Sequence, residues 1–219
     1  MKLLTRLGGI LFLLACLLPP AVSSAVTLGQ IDAFQDGTTQ GWLVGFPGVQ
    51  PVNVATGGPA GAGDHYLLLT ADGGPGPQDP NNKLVVINQT QWSGNFLAAG
   101  VNAINMWVNN LGATGLYLRL YVADDLIRQP TNTAISTNPV FLGAGSGWTP
   151  VRFLLDPAHL TALQGNVQQA LTNAKQVRIF HNPGLSFPGP IVVASLGVDN
   201  IKAARQEAMP YLPLLLLGD

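Results

Sequence analysis

Residues 103–109 (AINMWVN) and 115–123 (GLYLRLYVA) alternate their side chains with a period of two. In the first run Ile104, Met106 and Val108 share one face, while Asn105, Trp107 and Asn109 share the other. In the second, Leu116, Leu118, Leu120 and Val122 oppose Tyr117, Arg119, Tyr121 and Ala123. Period two is the signature of a strand with one buried face, because successive side chains of an extended chain point to opposite sides. Each purely aliphatic face must therefore lie against a core. Further runs rich in Val, Ile, Leu and aromatic residues occur at 66–71, 83–88, 150–155, 176–181 and 192–202, all strand-like.

Glycine, proline and asparagine punctuate these runs. The chain of 219 residues has 26 Gly and 17 Pro but only 10% charged residues, and its single Glu is Glu207. That composition suits short strands joined by turns and does not suit a helical bundle. One helical crossover is expected near 156–174: Asp156 as cap, Pro157 in the first turn, Ala158–Leu163, a break at Gly165, then 167–174. The segments 73–82 and 128–139 read as mobile loops. The expected fold is all-β, an antiparallel β-sandwich of jelly-roll type.

The two ends read differently. Residues 1–25 have the three parts of an export signal: Lys2 and Arg6, an apolar stretch from Leu7 to Leu18, and small residues before a cleavage point after Ala25, or after Ser24 as second choice. The apolar stretch is too short for a membrane span. Leu13-Leu14-Ala15-Cys16 also resembles a lipoprotein box, with Cys16 as the lipidated residue. Leu17-Leu18 continues the apolar run where lipoproteins turn polar, which favours cleavage after Ala25. Cys16 is the only cysteine, so residues 26–203 hold no disulfide. The tail 204–219 ends in MPYLPLLLLGD. It is compatible with packing on the domain, with a disordered end, or with a short tag that sorts the protein or takes a protein partner.

Lys2 and Arg6 are two of the ten basic residues. Their removal leaves eight basic against eleven acidic residues, net −3. No basic run exists, which argues against nucleic acid as partner.

The segments 32–42 (DAFQDGTTQGW), 57–67 (GGPAGAGDHYL), 147–156 (GWTPVRFLLD) and 196–201 (LGVDNI) together resemble the galactose-binding-like jelly-roll domains. These include many carbohydrate-binding modules and laminin-type domains of secreted bacterial proteins. The resemblance covers nearly all of 26–203 in order. It implies a concave sheet face that holds glycan, and a structural calcium ion beside the first and last strands. Carried over to this sequence, the calcium ligands are Asp64 in the Gly-rich loop and Asp199 in the last strand, with Gln35 where the family has a carboxylate after Phe34. Asp32 or Asp36 would add a further oxygen. Alternatively, Asp32 and Asp36 are turn residues and Asp199 makes a local hydrogen bond.

No catalytic residue can be assigned. Glycoside hydrolysis needs two positioned carboxylates, and the adjacent Asp124-Asp125 would point to opposite faces of a strand. His65, His159 and His181 are dispersed, and no nucleophile elbow, zinc motif or phosphate loop occurs. The non-core faces are more informative. Asn105, Trp107 and Asn109 come from one strand and Tyr117, Arg119 and Tyr121 from the next, with Arg152 and Arg178 from two others. Aromatic rings stack on the apolar faces of sugars, and planar polar groups meet their hydroxyls. These eight are the candidate ligand-binding residues. Trp42 and Trp148 read as core plugs and Trp92 as an exposed loop residue. Three functions stand: an exported carbohydrate-binding domain that is not an enzyme, a structural or adhesive matrix protein without a sugar site, and a hydrolase with an unrecognised Asp site.

Overall fold

A computed structural model describes residues 25–44, 48–74, 76, 79, 81–125 and 129–206. In chain order its strands are β1 (Ile31–Asp32), β2 (Trp42–Leu43), β3 (Val52–Val54), β4 (Tyr66–Asp72), β5 (Val85–Asn88), β6 (Ala103–Asn110) and β7 (Leu116–Ala123). They continue as β8 (Thr133–Ser136), β9 (Val140–Leu142), β10 (Thr149–Leu154), β11 (Leu160–Gln164), β12 (Gln176–His181) and β13 (Val193–Ala204), with helix α1 (Val167–Thr172) before β12. One sheet has the order β10-β6-β13-β4-β3, with β1 paired to β13; the other has the order β11-β8-β7-β12-β5-β2, with β9 paired to β7. The expected antiparallel sandwich is what forms.

The alternation explains the layering. Ile104, Met106 and Val108 of β6 are buried, as are Leu116, Leu118, Leu120 and Val122 of β7. The two strands are consecutive in sequence but lie in different sheets, so the two aliphatic faces meet between the layers. Each such side chain contributes about 1.5–3 kcal/mol by leaving water. Asn110 holds the crossing between them: its Nδ2 donates to the carbonyls of Thr114, Leu142 and Gly143, and its Oδ1 accepts from Gly112 N–H.

A second contact joins the layers from an unexpected quarter. Asp32 ends β1, and its Oδ2 accepts the indole N–H groups of Trp42 at 2.7 Å and Trp92 at 2.6 Å, and the Gln91 amide at 3.1 Å. Both tryptophans are buried, with ring centroids 6.2 Å apart. Trp42 is the core plug expected of it, whereas Trp92 is not exposed on a loop. A buried indole N–H needs an acceptor, and one carboxylate serves both. Burial raises the Asp32 pKa, and the hydrogen bonds from Trp92, Trp42 and Gln91 only partly offset that.

Other expectations need correction. Residues 156–163 are not helical. Asp156 does accept from Ala158 and His159 N–H, but it closes a turn, and Leu160–Gln164 then pairs with β8. Only 167–172 is helix, capped by Asn166, whose side chain accepts from Gln169 N–H. The supposed mobile loop 128–139 contains β8, buried along its whole length. Strand β13 runs to Ala204, and Gln206 N–H donates to Asn102 Oδ1, so hydrogen-bonded backbone continues past residue 203. Residues 1–24 of the expected export signal 1–25, and residues 207–219 of the expected tail 204–219, lie outside the described residues.

Asp32→Ala leaves two buried indole N–H groups without their acceptor and is expected to cost about 3 kcal/mol or more in urea unfolding. Asp32→Asn, whose amide oxygen still accepts, should cost less. A loss under about 1 kcal/mol for the alanine variant would show that the indoles find another partner.

Candidate functional site

The outward residues of the first sheet form registered rows. Arg152 on β10 faces Asn105 on β6, which faces Lys202 on β13. The next row is Pro150, Trp107 and Asp199. All of these except the buried Asp199 border an open groove of about 550 Å³, with Asn200 and Ile31 at its β13 side. Trp107 is 37% exposed. Arg152 Nε donates to Asn105 Oδ1 at 2.8 Å.

A bulge in β13 shapes this face. The pairing with β6 shifts between Asp199 and Lys202, and Asn200 there has φ of 52°. Asparagine tolerates this left-handed conformation better than most residues. Its N–H and Nδ2 both donate to the Asp199 carboxylate at 2.6 Å. The extra residue leaves Ile201 in the core while Lys202 stays outward.

Trp148 is not a core plug. It is half-buried on the same outer face, stands edge-on to Tyr66 with centroids 5.3 Å apart, and donates its indole N–H to Gly57 O at 2.8 Å. Gly197 lies beneath: a Cβ there would stand 2.9 Å from the Trp148 ring. A glycine at an outward position of a strand marks such a close approach, and this was the available signal for an aromatic pair that strand patterning missed.

The eight candidate ligand-binding residues do not form one surface. Asn105, Trp107, Asn109 and Arg152 belong to the first sheet, whereas Tyr117, Arg119, Tyr121 and Arg178 lie on the outer face of the second. On that second face Arg119 is 2% exposed. Its guanidinium donates to the carbonyls of Asn182, Ser136, Thr137 and Pro183, fastening two loops. Tyr121 is buried and stacks on Phe187 at 4.8 Å, and Arg178 stands 4.6 Å over the same ring. Burial raises the Tyr121 pKa and lowers that of Arg178. Tyr117 is half exposed against Phe141, at 4.9 Å. The second face is thus largely closed by the loop that carries Phe187.

The histidines remain apart. His65 meets Asn53 Oδ1, His159 meets Asp156, and His181 Nδ1 accepts from Tyr117 N–H. Burial pulls the His181 pKa down, consistent with a neutral ring in that role.

No protein-family model matches the chain, and no curated protein does. Solved structures do. An exo-β-agarase aligns with TM-score 0.57 and 9% identity over 84% of this chain, which spans 25% of the agarase. A family 11 carbohydrate-binding module studied in solution, CtCBM11, aligns with TM-score 0.53 and 10% identity over 83% of this chain and 98% of the module. The family 11 module of a cellulosomal cellulase of Clostridium thermocellum aligns with TM-score 0.51 and 12% identity over 85% of this chain and 99% of the module. The chain has the jelly-roll fold of these modules. At such identities the likeness is one of fold, and one fold hosts many functions.

The calcium ligands implied by the jelly-roll resemblance can be tested on geometry. Asp32 Oδ2 is taken up by the buried indoles and the Gln91 amide. Asp36 closes a turn through Thr38 and Gln40. Gln35 and Asp64 do meet, and the Asp64 charge acts on Asp199. Gln35 Nε2 donates to Asp64 Oδ1 at 2.7 Å, and Ala60 N–H donates to Asp64 Oδ2 at 2.7 Å. Asp199 is fully buried, and its pKa is raised to about 7 by burial, with the Asp64 charge adding to the rise. A buried carboxylate beside a second one fits a cation chemically. Among the described residues no group of three His, Cys, Asp or Glu side chains forms such a site, so any further ligands there would be amide or backbone oxygens.

The folded pKa of Asp199 lies above its ordinary 3.8, so folding favours the protonated form. That contribution is present below about pH 4 and is lost as pH rises through about 7. In chelator, the melting midpoint of the wild type should therefore fall over this range more than that of Asp199→Asn. Asp32 acts with the same sign in both proteins, so the difference between them isolates Asp199. Parallel midpoint curves would refute the assignment.

Proposed function

We propose that this is an exported, non-catalytic carbohydrate-binding domain whose ligand lies on the outer face of the first sheet, with a calcium ion bracing the fold at Asp64, Asp199 and Gln35. The observation that carries the reading is the open groove in which half-exposed Trp107 stands between Pro150 and the Arg152–Asn105 pair. An indole offers a flat apolar face for the C–H side of a sugar ring, and the amide and guanidinium offer planar partners for hydroxyls. The shared fold with carbohydrate-binding modules supports it.

The acidic residues support the non-catalytic part. Asp124 accepts from Thr131 and Asn132, and Asp156 from Ala158 and His159. Both close turns, where hydrogen bonds hold their pKa values low. A glycosidase needs a carboxyl pair flanking its substrate, and neither of these faces the groove. Export is supported by the tripartite leader in residues 1–25.

Trp107→Ala should leave the melting midpoint nearly unchanged, because the ring is partly exposed. It should lower retention on an immobilised glycan panel at least about tenfold, or about 1.4 kcal/mol. Equal retention of variant and wild type on every glycan would sink the site and favour a structural sandwich.

Calcium should raise the midpoint of the wild type, by about 2.7 kcal/mol of stability at a hundredfold excess over its dissociation constant. Asp64→Asn and Asp199→Asn should abolish that shift. A midpoint indifferent to both calcium and chelator would remove the ion from the proposal.

A further inference from the structure

We propose that the first-sheet groove takes an acidic polysaccharide, one carrying a carboxylate or sulfate on alternate sugars. This rests on the carbohydrate reading above and goes on to name the ligand class.

The argument starts from register. Arg152, Asn105 and Lys202 occupy one row on three adjacent strands. Neighbouring strands are separated by about 4.8 Å, so the two cationic residues are about 10 Å apart at the backbone. That is close to the advance of one disaccharide in an extended polysaccharide. An acid group on every second sugar would meet both cations while the intervening ring lies over Asn105 and beside Trp107.

Arg152 is prepared for such a group. Its Nε–H is taken by Asn105 Oδ1, which holds the guanidinium plane, and among the described residues no acceptor meets its two terminal nitrogens. Those nitrogens form the planar fork that matches two oxygens of a carboxylate or sulfate. Lys202 supplies a compact point charge at the other end of the row.

Among the described residues neither cation has an ion-pair partner. Among the described residues the salt bridge present is His159 with Asp156, away from this row. The domain has more acidic than basic residues, yet Asp36, Asp124 and Asp156 are held by turns. The carboxylate beside the groove, Asp199, is buried and accepts from Asn200. Two unpaired cations in register along an aromatic-lined groove are a recognition element for repeated anions.

The test uses the full chain and four probes: hyaluronate, with a carboxylate on alternate sugars, a galactan sulfated on alternate sugars, a neutral galactan, and polyglutamate as a polyanion without sugar. Binding is measured at low and at near-physiological salt for wild type, Arg152→Gln, Lys202→Gln and Trp107→Ala, with melting midpoints as a check on folding. At least one acidic polysaccharide should bind about tenfold or more tightly than the neutral one, and its affinity should fall as salt rises. Arg152→Gln and Lys202→Gln should each lose several-fold more on the acidic polymer than on the neutral one. Hyaluronate against the sulfated galactan decides which acid is preferred. Binding of neutral galactan as tight as that of the acidic polymers, indifferent to salt and to Arg152→Gln, overturns the acidic ligand and leaves the carbohydrate reading standing. Polyglutamate bound equally well, with no loss in Trp107→Ala, reduces the groove to a patch of charge and overturns the proposal. Failure to bind any polysaccharide, acidic or neutral, defeats the carbohydrate reading itself.

Discussion

One buried carboxylate holds the layers in register. Asp32 lies on a two-residue strand of the first sheet, and it accepts from Trp42 at the edge of the second sheet and from Trp92 in the loop after β5. Burying a charge is costly unless hydrogen bonds offset the lost water, and three donors converge here. The consequence runs outward from the core. β1 is positioned against β13, where Ile31 pairs with Lys202 and Asp32 with Ile201. That is also where β13 bulges at Asn200 and where the groove has its Lys202 wall. The indole pair, the bulge and the groove are therefore successive layers of one arrangement.

The two outer faces of the sandwich have different fates, although their strands carry similar residues. On the second sheet, aromatic and cationic side chains are consumed internally: Arg119 fastens loops through carbonyls, and Tyr121 and Arg178 pack against Phe187. On the first sheet, Trp107, Arg152 and Lys202 border an open groove. An arginine that is 2% exposed and spends four of its five N–H donors on backbone carbonyls is closed to a ligand, whereas one bonded only through Nε keeps its fork. Burial and hydrogen-bond occupancy separate the two faces, and residue type does not.

Much of the sandwich was legible in the sequence. Strands β4, β5, β6, β7, β10, β12 and β13 follow from runs of β-branched, aliphatic and aromatic residues, and the run 176–181 matches β12 at both ends. Strands β1, β2 and β3, of two or three residues, are too short to show any period. β8 and β11 are made by pairing with each other and with β7, which overrode the turn-like composition of one and the helix-like start of the other. Among site residues, Asn105, Trp107 and Arg152 were found because they sit opposite a core face. Trp148 was misplaced because a tryptophan after glycine reads the same whether its ring turns inward or crosses over a distant Gly197.

What the sequence by itself determined is the class of structure: which faces must be buried, how little helix there is, and which side chains are left over for the surface. Those properties are local, because a period of two and a glycine at a turn need no partner to be read. Only the tertiary structure decided that β6 and β7 belong to different sheets, and so that Trp107 and Tyr121 look in opposite directions. Only it could bring Asp64 beside Asp199, or Arg152 into line with Lys202. Such neighbours come from the order of strands within a sheet, and that order is set by long-range pairing and burial between segments far apart in the chain.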